Sequence, residues 1–130
     1  MGIGSLASPL SAFTAYGVGT QVAAHNLANV LTHGFKAGRV TYSDLANQSG
    51  VRVEAVQTGS TAGPLIPYGP GLPDPAGPDR FIPDGFAEAS TTDIAREMVN
   101  LIVNSRTYQA NARTADTYDD MLGTIINTKV

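Results

Sequence analysis

Residues 92–128 read TDIAREMVNLIVNSRTYQANARTADTYDDMLGTIINT and carry the longest regular pattern in the sequence. One row of positions recurs every seven residues, at Ile94, Leu101, Tyr108, Ala115 and Leu122. A second row lies four positions further on, at Met98, Ser105, Ala112, Asp119 and Ile126. Residues three and four apart share a helix face, so this spacing predicts a long amphipathic helix of coiled-coil character. Thr92 and Asp93 supply oxygens that can cap its first turn.

A similar pattern near the amino terminus predicts a second helix over residues 9–31. Its two rows are Leu6, Phe13, Thr20 and Leu27, and Leu10, Gly17, Ala24 and Leu31. Ser8 followed by Pro9 resembles a helix start, because proline at the first helical position loses no hydrogen bond. Gly17 and Gly19 should each cost about 1 kcal/mol relative to alanine. The helix is therefore expected to be weak in isolation.

The chain between the helices has a different character. Val51, Val53 and Ala55 alternate with Arg52 and Glu54, which is typical of a half-buried strand. We expect residues 41–45 to form a short strand or turn before it. Residues 63–85 carry seven of the eight prolines, so no regular ladder is expected there. A small hairpin could still pack Phe81, Ile82 and Phe86 against the base of the helices.

These elements predict a mainly α fold, an antiparallel pair of long coiled-coil helices with a short β or irregular insert rich in proline and glycine. The boundaries are 1–34 for the first helix, 35–91 for the insert and 92–130 for the second helix, in one subunit whose helices pack together. Beyond the seam positions Leu101 and Tyr108, the residues expected to line the helix seam are Leu6, Leu10, Phe13, Ala24, Leu31, Ile94, Ala112, Ala115, Leu122 and Ile126. Because the second helix is the longer one, the first helix cannot cover part of its apolar surface. Unless the insert folds back onto that part, lateral contact with neighbouring copies is the economical way to cover it.

Composition argues against several classes of function. The net charge is −3 over 130 residues and no run of like charges occurs, so neither nucleic acid nor an anionic membrane is an expected partner. No stretch is apolar enough for membrane insertion, and the first ten residues lack the features of a cleaved signal peptide. There is no cysteine, which excludes thiolate chemistry and disulfides.

No catalytic, cofactor-binding or metal-binding site is predicted. The sequence lacks a catalytic serine motif and a pair of catalytic carboxylates. His25 and His33 are eight residues apart without an accompanying metal-ligand pattern. Asp116, Asp119 and Asp120 could attract a cation, but carboxylates on an exposed helix face usually stay solvated.

Two motifs resemble the bacterial flagellar rod and hook protein family. Residues 25–36, HNLANVLTHGFK, are similar to its amino-terminal motif, with matches at Asn26, Leu27, Ala28, Asn29, Thr32, Gly34 and Phe35. Residues 97–111, EMVNLIVNSRTYQAN, are similar to its carboxy-terminal helix, with the family positions Glu97, Met98, Val99, Leu101, Arg106, Tyr108, Ala110 and Asn111. Leu31 and His33 depart from the pattern, where asparagine and proline are expected.

The resemblance implies a structural subunit of the flagellar basal-body rod that polymerises through its terminal helices. It further implies export by the flagellar type III apparatus without a cleaved signal peptide, residence in the periplasm-spanning rod, and partners that are copies of the chain or other rod and hook proteins. The short insert favours a small proximal rod protein over a hook protein. The alternative is a coiled-coil export chaperone or adaptor that holds a rod or hook subunit.

Overall fold

The chain forms two long helices with two small antiparallel sheets between them in sequence. The computed structural model describes residues 4–46, 49–69, 82–83 and 85–128, with the backbone only for residues 4–6. The first helix, α1, spans Gly4–Ala28. The strands are β1 (Gly38–Asp44), β2 (Val51–Thr58), β3 (Leu65–Pro67) and β4 (Phe86–Glu88). The second helix, α2, spans Ile94–Asn127.

Helix α1 begins earlier and ends earlier than its sequence predicts. Pro9 lies inside the helix instead of at its first position. At this position a proline removes the bond to the carbonyl four residues before it and crowds that carbonyl, so it weakens the first turns of α1. The helix ends at Ala28, and the amide nitrogen of Asn29 still bonds the carbonyl of His25 at 3.2 Å. The predicted start at Ser8–Pro9 was therefore wrong.

Helix α2 has the predicted start and nearly the predicted length. Asp93 is its N-cap, and the Asp93 side chain accepts a bond from the amide of Arg96 at 3.2 Å. The helix runs for 34 residues, which at 1.5 Å per residue is about 50 Å.

The two helices pack antiparallel. The rings of Phe13 and Tyr108 lie 4.7 Å apart, and the Thr92 hydroxyl bonds the carbonyl of Asn26 at 3.1 Å. For two residues that face each other across this antiparallel pair, the sequence numbers therefore add up to roughly 120. By this relation Gly4 lies opposite about residue 117 of α2. The last ten residues of α2, 118–127, extend beyond the described start of α1.

Strands β1 and β2 form a hairpin that packs on α1. They pair from Gly38 with Thr58 to Asp44 with Val51, with an irregularity between Thr41 and Tyr42. The ring of Tyr42 lies 5.2 Å from that of Tyr16 on α1, at an interplanar angle of 36°. The predicted strand at residues 51–55 and the predicted strand or turn at 41–45 are both confirmed.

The mainly α prediction was wrong, because the chain between the helices is a substantial β structure. Besides the hairpin, Leu65 pairs with Glu88 and Pro67 pairs with Phe86 in a second two-stranded sheet. The prolines do not prevent this, since Pro64 and Pro67 need only accept hydrogen bonds or lie at a strand end. The fold is mixed, with four strands as well as two helices among the described residues. Phe81 lies outside the described residues, and Phe86 is 42% exposed.

The core of the single chain is thin. Among the described residues, the buried apolar side chains are Ala12, Ala15, Ala23 and Ala87, together with Pro9. No large apolar side chain in that part of the chain is fully buried. Small residues let α1 approach its neighbours closely, but they remove little apolar surface from water.

Candidate assembly site

A buried asparagine joins the end of α1 to the first strand. Asn26 is 0% exposed, and its side chain makes two bonds to the backbone of Gly38. Its Nδ2 donates to the Gly38 carbonyl at 2.8 Å, and its Oδ1 accepts from the Gly38 amide at 2.8 Å. The amide side chain thus occupies the place of a partner strand at the start of β1. Because Thr92 bonds the Asn26 carbonyl, three elements meet at this residue.

The turn after α1 is built by the other polar residues of the amino-terminal motif. Asn29 donates from Nδ2 to the His25 carbonyl at 2.9 Å, and the Thr32 hydroxyl donates to Oδ1 of Asn29 at 3.2 Å. Gly34 has φ of 69°, a conformation that favours glycine. Its amide donates to the carbonyl of Glu88 at 2.7 Å.

Strand β4 is held to this turn by an ion pair. Lys36 Nζ contacts Glu88 Oε1, and the two side chains are 14% and 3% exposed. Lys36 also donates to the Thr61 carbonyl at 2.8 Å, and the amide of Gly63 donates to the same Glu88 oxygen. A nearly buried carboxylate needs such partners, since an unpaired charge there would be costly.

Thr91 completes the connection between the turn and α2. Its amide donates to the Phe35 carbonyl at 3.0 Å, and its hydroxyl accepts from the Ala37 amide at 2.9 Å. We call the region formed by residues 26–38 and 88–92 the junction. Its bonds set the direction in which both helices leave the sheets.

Further along the helices, the contact depends on one glycine. A Cβ atom on Gly19 would lie 2.9 Å from Nδ2 of Asn104 and closer still to the Tyr42 hydroxyl. Gly17, two residues earlier, has nothing within 4 Å of such an atom. Gly19 therefore allows the close approach of α1, α2 and β1. Burial, and secondarily the neighbouring Tyr16, raises the pKa of Tyr42 above its ordinary value of 10.0.

The face of α2 that contacts α1 differs from the predicted seam by one position in one of its rows. Leu101, Tyr108 and Ala115 lie on this face, as their row predicts. The companion row consists of Glu97, Asn104, Asn111 and Tyr118, each one position before the predicted row. Glu97 and Asn104 are the buried residues of α2, at 5% and 8% exposure. Their polarity hides this row from a search for apolar residues.

Most of the large apolar side chains of α2 are exposed. Ten of the fifteen large apolar side chains that are at least 38% exposed lie on this helix: Ile94, Met98, Val99, Ile102, Val103, Tyr108, Met121, Leu122, Ile125 and Ile126. Exposure of that extent on one element is a feature of protein contact surfaces.

The structure brings some predicted site residues together and separates others. Asn26, Asn29, Thr32, Gly34 and Phe35 lie in the junction, with Leu27 half-buried and Ala28 exposed beside them. In the second motif, Glu97, Leu101 and Asn111 face α1, whereas Met98, Val99, Arg106 and Ala110 face solvent.

Of the predicted seam residues, Phe13, Ala112 and Ala115 are half-buried, while Leu10, Ala24, Leu31, Ile94, Leu122 and Ile126 are exposed. The exposure of Leu10 is 59% and that of Leu31 is 88%, so neither lies between the helices. The side chain of Leu6 lies outside the described residues.

Sequence reasoning missed Gly38, Lys36 and Glu88 in the junction, and Tyr42 beside the seam. A lone acidic residue between small residues in an otherwise apolar segment, as in FAEAS at 86–90, was the available signal for Glu88. Nothing in the local sequence pairs it with Lys36, which is 52 residues away.

The sequence of the chain is similar to sequences of known flagellar proteins. The family described as "Flagellar basal body rod FlgEFG protein C-terminal" matches residues 84–128, which include β4 and α2. The flagellar hook protein FlgE of Escherichia coli (strain K12) is 35% identical over 92 residues. The FlgE protein of Salmonella typhimurium is also 35% identical over 92 residues.

The chain belongs to the flagellar rod and hook family. This is a family of structural flagellar proteins. The aligned part covers 69% of this chain and 22% of the Escherichia coli hook protein, so the chain spans about a fifth of the length of these relatives. Within the described residues, neither helix has the length and apolar character needed to cross a membrane.

Proposed function

We propose that this rod and hook family protein is a structural subunit of the flagellar basal-body rod, polymerising through its terminal helices and contributing to flagellum assembly and motility. One observation carries the proposal: the only apolar side chains buried in the described part of the chain are four alanines and one proline, while ten large apolar side chains of α2 are exposed. A chain with this distribution gains more from contact between subunits than from its own core.

The junction supports a structural role for the helix pair. Hydrogen bonds at Asn26 and the pair of Lys36 with Glu88 fix the helices to the sheets, so the outward face of α2 is presented in a defined direction. A subunit that polymerises needs such a fixed direction, because small angular errors accumulate along an assembly.

The choice of rod over hook rests on the insert. Between α1 and α2 the described residues contain only two two-stranded sheets. Export by the flagellar type III apparatus, without a cleaved signal peptide, belongs to the same proposal.

The test is to follow a tagged full-length chain in flagellated cells. We expect it in detergent-resistant basal bodies, and we expect purified protein to sediment as larger species when its concentration increases. A variant lacking residues 94–130 should appear in neither. A chain found only in the cytoplasm, bound to another rod or hook subunit, would instead identify an export chaperone or adaptor and contradict the proposal.

A further inference from the structure

The exposed apolar residues of α2 form two patches at opposite ends of the helix. The head patch consists of Met98, Val99, Ile102 and Val103, which are 52–60% exposed. The tail patch consists of Met121, Leu122, Ile125 and Ile126, which are 38–82% exposed. The described residues between them, 104–120, carry one exposed large apolar side chain, Tyr108, which is in ring contact with Phe13.

The tail patch continues the face that packs on α1. The seam positions of α2 advance by four and three through residues 97, 101, 104, 108, 111, 115 and 118, and the next two positions are Leu122 and Ile125. The described part of α1 begins at Gly4, opposite about residue 117. The seam therefore extends past the described α1 with apolar side chains that no other described element covers.

Part of the head patch lies on the other side of the same helix. Met98 and Ile102 point away from α1, about half a turn from Leu122 and Ile125 when their positions are projected along the axis. The patches share one direction, since Val103 and Met121 are eighteen residues or five turns apart, but Met98 and Ile102 cannot meet the same two-fold-related partner as Leu122 and Ile125. Both patches can be covered when each copy contacts the next in the same manner, as in a heterologous contact that does not close.

Charge supports contact between the two ends. The exposed charged residues beside the head patch are Arg96 and Arg106. Among the described residues, Asp119 flanks the tail patch, Asp116 and Asp120 lie on the other side of the same helix end, and the negative end of the helix dipole lies nearby. Two tails, or two heads, would bring like charges together, whereas a tail on a head brings opposite charges together.

We propose that the tail patch of one copy packs on the head patch of a second copy, forming the repeating contact of the polymer. This inference rests on the proposed polymerisation and adds which surfaces meet. Each copy then offers one free head and one free tail, so growth continues from both ends of any oligomer.

The experiment uses two full-length variants, Ile102→Glu in the head patch and Ile125→Glu in the tail patch. Both side chains are exposed, at 60% and 69%, so neither substitution affects the core of the single chain. Each variant alone should remain a monomer in sedimentation velocity at concentrations where the wild type polymerises. An equimolar mixture should form a species of twice the monomer mass and nothing larger, because one intact tail meets one intact head.

Ala110→Glu is the matched control. It adds the same charge at an exposed position of α2 between the patches, and it should polymerise like the wild type. Circular dichroism of all three variants should match that of the wild type.

The outcomes separate this inference from the proposed function. If the wild type polymerises and the mixture stays monomeric, or if only one of the two variants blocks assembly, the tail-on-head contact is wrong while polymerisation stands. A tail covered by α1 of another copy would give the second of these results. If the wild type is monomeric at every concentration, both proposals are contradicted.

Discussion

The junction and the tail of α2 represent opposite extremes within one chain. At the junction, Asn26 is fully buried and bonded at both ends of its side-chain amide, and Glu88 is held by a lysine and a backbone amide. At the tail, Leu122 and Ile125 continue the helix seam but contact solvent. The junction is thus stabilised by contacts within the chain, whereas the tail of α2 is left exposed for contact with another molecule.

This difference predicts a gradient of mutational effects on the free energy of unfolding, falling from the junction to the tail. The free energy of unfolding is to be measured by urea denaturation at a concentration where the protein is monomeric. Under these conditions, the contribution of subunit contacts is absent.

Lys36→Met should have the largest effect. It removes the Lys36 cation from Glu88, whose side chain is 3% exposed, and so takes a charged partner from a nearly buried carboxylate. Breaking such a pair from one side typically costs about 3–5 kcal/mol. Arg39→Met is the control, because Arg39 is an exposed cation on β1, and it should change the free energy by less than about 0.5 kcal/mol. Equal effects of the two variants would show that the ion pair does not hold β4 in place.

Asn26→Ala should come second, with a loss of about 2–3 kcal/mol. The substitution leaves both the amide and the carbonyl of Gly38 without their buried partner, and each such group costs about 1–3 kcal/mol. Asn29→Ala offers a comparison in the same motif, since Asn29 bonds the His25 carbonyl near the surface and should cost about 1 kcal/mol or less. A smaller loss for Asn26 than for Asn29 would contradict the role given to the buried amide.

Some elements of this fold could be predicted from the sequence, and others could not. The order of the helices, the length of α2, the cap at Asp93 and the strand at 51–55 follow from local patterns, and they were predicted correctly. The extent of β structure was not predicted correctly, because β3 and β4 have only three residues each and pair across a proline-rich segment.

The site itself was predictable only in part. The motif residues Asn26, Asn29 and Gly34 were singled out, but Gly38 and Glu88, the partners of Asn26 and Gly34, are fixed by tertiary contacts. The seam row at Glu97 and Asn104 was missed because its residues are polar, whereas the apolar row one position later faces outward. A heptad search cannot distinguish a face that packs within the chain from one left exposed.

Gly19→Ala tests the middle of the helix pair and should cost about 1 kcal/mol. The added methyl group meets the Tyr42 hydroxyl and the Asn104 amide, and overpacking of this kind costs about 1–3 kcal/mol. The gain in helix propensity returns up to about 1 kcal/mol. Gly17→Ala receives the same gain without a contact within 4 Å, so it should stabilise the protein. The sign should differ between the two variants, and a shared sign would mean that the close approach at Gly19 is relieved elsewhere.

Ile125→Ser should have the smallest effect on the single chain and a large one on assembly. The side chain is 69% exposed, and serine and isoleucine have similar helix propensities, so the free energy of unfolding should change by less than about 0.5 kcal/mol. The same substitution removes an apolar side chain from the proposed contact between copies, so the sedimentation boundary should shift toward the monomer at concentrations where the wild type is polymeric. Thr124→Ser, one residue earlier and also exposed, should leave both properties unchanged. A loss of more than 1 kcal/mol in monomeric Ile125→Ser would show that the tail is covered within its own chain, and the contrast between junction and tail would then be wrong.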